Sequence, residues 1–167
     1  MSIMKMSQGV EWSIHCCSLL AVLPEGRTLR LEKIAEFYDL PIPYLRKHFQ
    51  ALSRAGLVKT TSGPRGGYRL AKDGSQITLL DIYQALEGNE PAFRCNEIRR
   101  QGPTTCGQKL YPVACNIATS MWKAETAYKS ELAKVSINDV VKEAAPQISD
   151  ERKAASIAWL EAALASE

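Results

Sequence analysis

Apolar residues recur along this chain at helical spacing in most stretches and at strand spacing in one short region. Val10, Ile14, Cys17, Leu20 and Ala21 fall at three- and four-residue steps, which predicts a helix over 10–23 ended by Pro24, Glu25 and Gly26. Leu31, Ile34, Ala35 and Tyr38 give a second helical period. A break at 39–42 follows, and Pro43 suits the first turn of a third helix, where its missing N–H would have no helical partner anyway. That helix runs to 55 with Leu45, Phe49 and Leu52 facing inward, and Gly56 suits a left-handed cap. Residues 57–60 are strand-like, 62–67 form a glycine-bearing turn, and 68–70 return as a second strand. A fourth helix is expected over 77–86, N-capped by Thr78 and closed by Gly88.

No steady period runs through 89–115, and loops of that length are usually functional or disordered. A long helix resumes over 116–134 with Ile117, Met121, Ala124, Tyr128 and Leu132 among its apolar positions. Ser136 caps a short helix through 141. After Pro146, Ser149 caps another, with Asp150 and Glu151 at the positive end of its dipole. This last helix carries Ile157, Trp159 and Leu160 and is either a dimer arm or a packed tail.

Two helices joined by a short turn, the second followed by a glycine-bearing hairpin, make the winged helix-turn-helix plan. The expected fold is therefore mainly α with a small β-hairpin wing. It divides into a DNA-binding domain over 7–88, a cysteine-bearing sensor loop over 89–115, a dimerisation helix region over 116–142 and a C-terminal helical extension over 143–167. The third helix carries Tyr44, Arg46, Lys47, His48, Gln50 and Arg54, residue types that reach base edges or phosphates in the major groove of double-stranded DNA. The hairpin carries Lys59, Arg65 and Arg69, suited to phosphates or a narrow minor groove. Gly66 and Gly67 would allow positive φ and close approach of the backbone to DNA. A basic helix face by itself is commonly just solvated. Its weight here comes from the helix pair, turn and basic wing following one another in order.

The formal net charge of +3 adds little, since what matters is where the charge sits. Residues 1–9 hold no apolar run of signal-peptide length, and no stretch approaches the ~18 apolar residues of a membrane span. The expectation is a cytoplasmic chain with no membrane partner, where thiols stay reduced. Cys16 and Cys17 fit a helix core, whereas the odd total of five and the grouping of Cys95, Cys106 and Cys115 favour a metal or redox role. There is no nucleophile motif, no phosphate- or dinucleotide-binding glycine pattern and only two histidines, so neither an enzyme nor a small-molecule substrate is expected.

The runs Tyr44-Leu45-Arg46-Lys47, Leu52-Ser53-Arg54-Ala55-Gly56-Leu57-Val58 and Gly63-Pro64-Arg65-Gly66-Gly67-Tyr68 resemble the Rrf-two family of winged-helix regulators. Ile77-Thr78-Leu79-Leu80-Asp81-Ile82 and Ala85-Leu86-Glu87-Gly88 continue the likeness, which covers roughly residues 6 to 142. That family includes an iron–sulfur cluster regulator and a nitric-oxide-sensitive repressor. The resemblance implies a homodimer built on the long C-terminal helix, bound to a palindromic or semi-palindromic operator. It also implies a cluster in the loop before that helix, although some members carry none.

Iron–sulfur clusters are held by thiolates, with imidazole as an occasional replacement. Cluster-binding relatives usually place three closely spaced cysteines in this loop. Here ten residues separate Cys95 from Cys106 and eight separate Cys106 from Cys115, and no histidine follows Cys115. Glu11 and His15, four apart on the first helix, share one face with Trp12 adjacent. The segment Gly9-Val10-Glu11-Trp12-Ser13-Ile14-His15-Cys16-Cys17 resembles a branch of the family typified by a redox-sensitive 2Fe–2S regulator. In that branch an N-terminal Glu and His of one subunit complete a site whose cysteines come from the other. The resemblance thus implies Glu11, His15, Cys106 and Cys115 as ligands of a 2Fe–2S cluster, with Cys95 as the alternative ligand and Trp12 as a candidate redox gate. On spacing alone Glu11 and His15 could equally be a surface pair, and Trp12 could be packing. The competing reading is a cluster-free thiol switch or partner-controlled regulator of the same fold.

Overall fold

In the computed structural model, which describes residues 6–63, 66–103 and 112–165, the chain builds α1 (Gln8–Ala21), α2 (Leu31–Tyr38), α3 (Ile42–Arg54) and strands β1 (Val58–Thr61) and β2 (Gly67–Leu70). It continues through α4 (Leu79–Glu87), α5 (Asn116–Ala133), α6 (Ile137–Ala144) and α7 (Asp150–Ala165). The fold is mainly helical with one small antiparallel hairpin, as the hydrophobic pattern predicts. Among the described residues no helix is long and apolar enough to cross a membrane.

α1 is the central element. Val10, Ser13, Cys16, Cys17, Leu19 and Leu20 are all buried on it, more of its circumference than a single stripe, because α3, α4, α6 and β2 pack around it. Cys16 and Cys17 lie at the centre of this core, where burial pushes the Cys17 thiol up to about 12 and the Cys16 thiol up as well. Neither is a thiolate at neutral pH, which suits plain core residues.

α2 ends at Asp39, which takes the left-handed conformation (φ 52°), and Leu40 N–H donates back to the Ala35 carbonyl at 2.9 Å. The chain turns through Pro41, and Pro43 lies in the first turn of α3. At the far end Gly56 (φ 69°) lets Leu57 N–H return to the Leu52 carbonyl at 2.9 Å and sends the chain into the hairpin. Leu45, Phe49 and Leu52 bury the inner face of α3.

β1 and β2 pair with Lys59 opposite Arg69 and Thr60 opposite Tyr68. Leu29 adds a third rung, exchanging backbone hydrogen bonds with Tyr68 at 2.8 and 3.0 Å. This corrects the expected positive φ of the wing glycines, because among the described residues of the turn it is Gly63 (φ 105°), not Gly66 or Gly67, that has it. A Cβ on Gly67 would come within 2.7 Å of the Leu29 carbonyl carbon, and one on Gly66 within 2.2 Å of the Thr61 carbonyl oxygen. Close backbone packing inside the wing therefore requires both glycines.

Thr78 and Asp81 form a reciprocal capping box on α4, and Ser136 and Asp139 form another on α6. The two caps sit back to back: Ile137 N–H donates to the Ile77 carbonyl and Leu79 N–H to the Val135 carbonyl, each at 2.9 Å. This pairing holds Ile77 extended, so α4 starts at Leu79 rather than at 77. Tyr83 on α4 meets Tyr128 on α5 edge to face at 5.7 Å.

α7 is a packed tail. Trp159 lies against Phe37 of α2 (ring centroids 4.9 Å) and donates its indole N–H to Glu36 at 3.1 Å, while Ala163 is buried and Arg27 donates to the Leu164 carbonyl at 2.5 Å. Removing half-buried Trp159 as Trp159→Ala should cost about 2 kcal/mol of stability, below the range for a fully buried aromatic. The urea midpoint measures this, and an unchanged midpoint would mean that α7 merely rests on α2.

Candidate nucleic-acid interface

The inward anchoring of α3 by Leu45, Phe49 and Leu52 turns Tyr44, Arg46, Lys47, Gln50 and Arg54 outward, all of them exposed. Tyr68 packs its ring on Phe49 at 4.7 Å, so the Thr60–Tyr68 face of the hairpin is the one turned toward α3. Between them opens a cleft of about 360 Å³ whose walls include Arg30, Glu32, Arg46, Gln50, Thr60 and Thr61. Glu32 on α2 faces Arg46 on α3 across it at 3.8 Å. Sequence reasoning missed Arg30 and Glu32. The available signal was their place at the start of α2, since the first turn of the leading helix in this motif lies beside the DNA backbone.

The period-two alternation of strands puts Lys59 and Arg69 together on the opposite face of the hairpin from Tyr68. Arg69 there lines a second cleft with Arg27 and Lys72. Arg65 lies outside the described residues.

His48 points elsewhere. It is half-buried against α1, edge-on to Trp12 at 6.2 Å, and a Cβ on Gly9 would come within 2.5 Å of its ring. That corrects its expected place on the exposed reading face: His48 helps seat α3 on α1. Burial, then Lys47, lowers its pKa, with Glu87 acting in the other direction. A His with a lowered folded pKa favours the neutral form, so its contribution is present above the unfolded value and is lost as pH falls below it. As pH falls below about 6.5, stability should therefore drop by more in the wild type than in His48→Gln. Chemical denaturation across that range tests this, and identical profiles would remove His48 from the account.

On α1, Glu11 and His15 are exposed and half-buried Trp12 sits between them in sequence. Tyr38 of α2 donates its hydroxyl to the His15 carbonyl at 3.0 Å and packs its ring against the imidazole at 5.5 Å. Elsewhere, half-buried Cys115 occupies the N-cap position of α5. Backbone N–H groups of Ala118 and Ile117, and then the Arg99 guanidinium, hold its thiol below the ordinary range. Arg99 is itself held by Glu97 at 2.9 Å and donates to the Val113 carbonyl at 3.1 Å. Cys95 accepts from Glu97 N–H at 3.4 Å, and its thiol acts on Arg99 as the Cys115 thiol does. The structure thus brings Cys95, expected as the spare cysteine, to the same arginine as Cys115. Cys106 lies outside the described residues. Among the described residues of one chain no three His, Cys, Asp or Glu side chains gather to hold a metal, so Glu11 and His15 are not joined with Cys95 or Cys115 within a single chain.

α5 leaves Ile117 (67% exposed) and Trp122 (41% exposed) uncovered, with Met121 half-buried between them. The same helix pins the start of the loop: Glu125 accepts from Ala92 N–H at 3.1 Å, and Trp122 donates to the Phe93 carbonyl at 3.3 Å.

The sequence profile of the Rrf2 (Rrf-two) family, described as "Iron-dependent Transcriptional regulator", matches residues 6–143, leaving α7 beyond it. The chain is 39% identical over 91 residues to YwgB of Bacillus subtilis, named as an HTH-type transcriptional regulator, over 54% of this chain and 58% of that one. With YffB of Lactococcus lactis, similarly named, it shares 29% identity over 140 residues, 84% of this chain and 88% of the other. Among solved structures it is similar to T. potens IscR (25% identity, TM-score 0.64, covering 88% of this chain and 93% of that one). It is also similar to CymR, the global cysteine regulator of B. subtilis (25% identity, TM-score 0.61, covering 84% and 98%).

Proposed function

This chain belongs to the Rrf2 family of transcriptional regulators, and from that premise we propose that it is a homodimeric, cytoplasmic repressor controlled by a 2Fe–2S cluster shared between subunits. The family and the named relatives are transcriptional regulators, not enzymes, and DNA is the partner that family membership supports. The bound site is proposed to be a palindromic or semi-palindromic operator read by Tyr44, Arg46, Lys47, Gln50 and Arg54 of α3. Arg65, together with Lys59 and Arg69 on the outer face of the wing, would contact flanking phosphates or the minor groove. The proposed organisation keeps 7–88 as the DNA-binding unit, 89–115 as the sensor loop and 116–142 as the dimerisation region.

Two separate sets of donors, one on α1 and one at the start of α5, support the cluster reading. Glu11 and His15 lie exposed one helical turn apart on α1, while Cys115 sits where α5 N–H groups and Arg99 favour its thiolate. These donors suit a 2Fe–2S group, with Cys106 as the fourth ligand and Cys95 as its alternative. When bound, such a group supplies a one-electron couple. Glu11 and His15 in place of two thiolates would raise its potential, as imidazoles do in Rieske centres. Tyr38 connects His15 to α2, so a shift of His15 would be felt by the helix-turn-helix, and Trp12 against His48 offers a similar connection to α3. Control of DNA affinity then requires that the two redox states favour different placements of these helices.

A second reading is favoured by one specific observation. Cys95 and Cys115 both act electrostatically on Arg99, which suits a cluster-free thiol switch, and the likeness to the cysteine regulator CymR agrees with it. Anaerobic purification separates the two. A brown protein with broad visible absorption and iron and sulfide bound supports the cluster, and a colourless protein whose thiols titrate fully supports the switch.

A further inference from the structure

We propose that Glu32 determines the base specificity of the DNA interface by acting through Arg46, holding that guanidinium to the bases and away from the phosphates. The inference rests on the reading of α3 as the helix that enters the major groove. Glu32 and Arg46 come from different helices, stand 3.8 Å apart, and remain 60% and 59% exposed. Both line the cleft between α3 and the hairpin, with Arg30 on the same wall.

An acid in a surface that receives a polyanion is costly, because it repels the backbone phosphates that supply much of the affinity. Glu36, one turn further along α2, is directed away by Lys33 at 2.7 Å and Trp159 at 3.1 Å. Glu32 is thus the acid that the helix leaves beside the cleft. The helix dipole favours an acid in this first turn, but that alone assigns no role to Arg46.

The pairing does. Guanidinium carries five donors in a rigid fork, so one edge can face a carboxylate while another makes the two hydrogen bonds that read guanine O6 and N7. Pairing offsets the charge of Arg46 and so weakens its attraction to phosphate, while the directional hydrogen bonds to a base remain. On a non-cognate duplex, an Arg46 that swings to a phosphate leaves Glu32 unpaired beside the same negative backbone. Specificity is a difference between affinities, and Glu32 lowers the wrong one.

The test uses a duplex selected by the full wild-type chain from a randomised library, and a scrambled duplex of the same composition. Glu32→Gln keeps the shape and removes the charge. Its affinity for the scrambled duplex should rise, with a salt slope steeper by about one unit, and its preference for the selected duplex should fall about tenfold. Arg46→Ala should also lower the preference, and adding Glu32→Gln to it should lower it no further. An unchanged preference in Glu32→Gln overturns the proposal, as does an equal loss with and without Arg46. A wild-type chain that selects no sequence at all would instead sink the reading of α3, and this proposal with it.

Discussion

An aspartate at Met121 or at the adjacent Ile117 should convert the protein to monomers and abolish tight operator binding. α5 leaves apolar side chains uncovered, with Ile117 67% exposed and Met121 half-buried one turn away. If two copies meet there about a two-fold axis, each substitution enters the interface twice. Losing the burial of one such side chain costs about 1.5–3 kcal/mol, so a symmetric pair loses about 3–6 kcal/mol before the penalty of desolvating two carboxylates is added. That corresponds to a dimer dissociation constant raised at least about a hundredfold. Operator binding should follow, because a monomer engages one half-site and forfeits the effective concentration that joins the second. Sedimentation at micromolar concentration reads the first effect and titration of a selected duplex reads the second. A Met121→Asp, Ile117→Asp double variant that sediments as a stable dimer would place the interface elsewhere.

Where backbone chemistry is local, the sequence was a good guide to the structure. Thr78 and Ser136 cap their helices with Asp81 and Asp139, Gly56 ends α3, and Leu45, Phe49 and Leu52 face inward, because spacing and cap chemistry decide such features within a few residues. The outward set on α3 was legible for the same reason. His48 was not, since its place is set by the gap that Gly9 leaves on α1, thirty-nine positions earlier in the chain. The wing glycines were expected to supply positive φ and a close approach to DNA, whereas what demands them is the nearby backbone of Leu29 and Thr61. Strand register, which no composition reports, turned Lys59 and Arg69 to the face opposite Tyr68. Cys95 and Cys115 are twenty positions apart in an aperiodic loop, and only the structure shows that Arg99 stands beside both. α7 could be read as a tail or an arm because Trp159 and Leu160 suit either. The contact with Phe37 decides for the tail.

The ligand set carries the other large effect. Cys115→Ala and Cys106→Ala should each abolish cluster assembly, whereas Cys95→Ala should leave iron content largely intact. The last of these is a demanding test, because Cys95 and Cys115 both act electrostatically on Arg99. Loss of iron in Cys95→Ala would exchange the roles of Cys95 and Cys106. Glu11→Ala and His15→Ala should each alter the visible spectrum or the iron content. Both should fold, since the two side chains are exposed and α1 is held by Val10, Cys16, Cys17 and Leu20 on its buried side. His15→Cys should lower the reduction potential by on the order of 100 mV, because a thiolate stabilises the oxidised state more than imidazole does. Mixed dimers then ask whether the half-sites belong to different subunits. A subunit lacking Glu11 and His15, paired with one lacking Cys106 and Cys115, puts all four lesions into one site and leaves the other whole. Such a dimer should hold half the wild-type iron, whereas a site built within each chain would leave it with none. Full iron in a Glu11→Ala, His15→Ala homodimer would remove α1 from the ligand set and return the site to the loop cysteines.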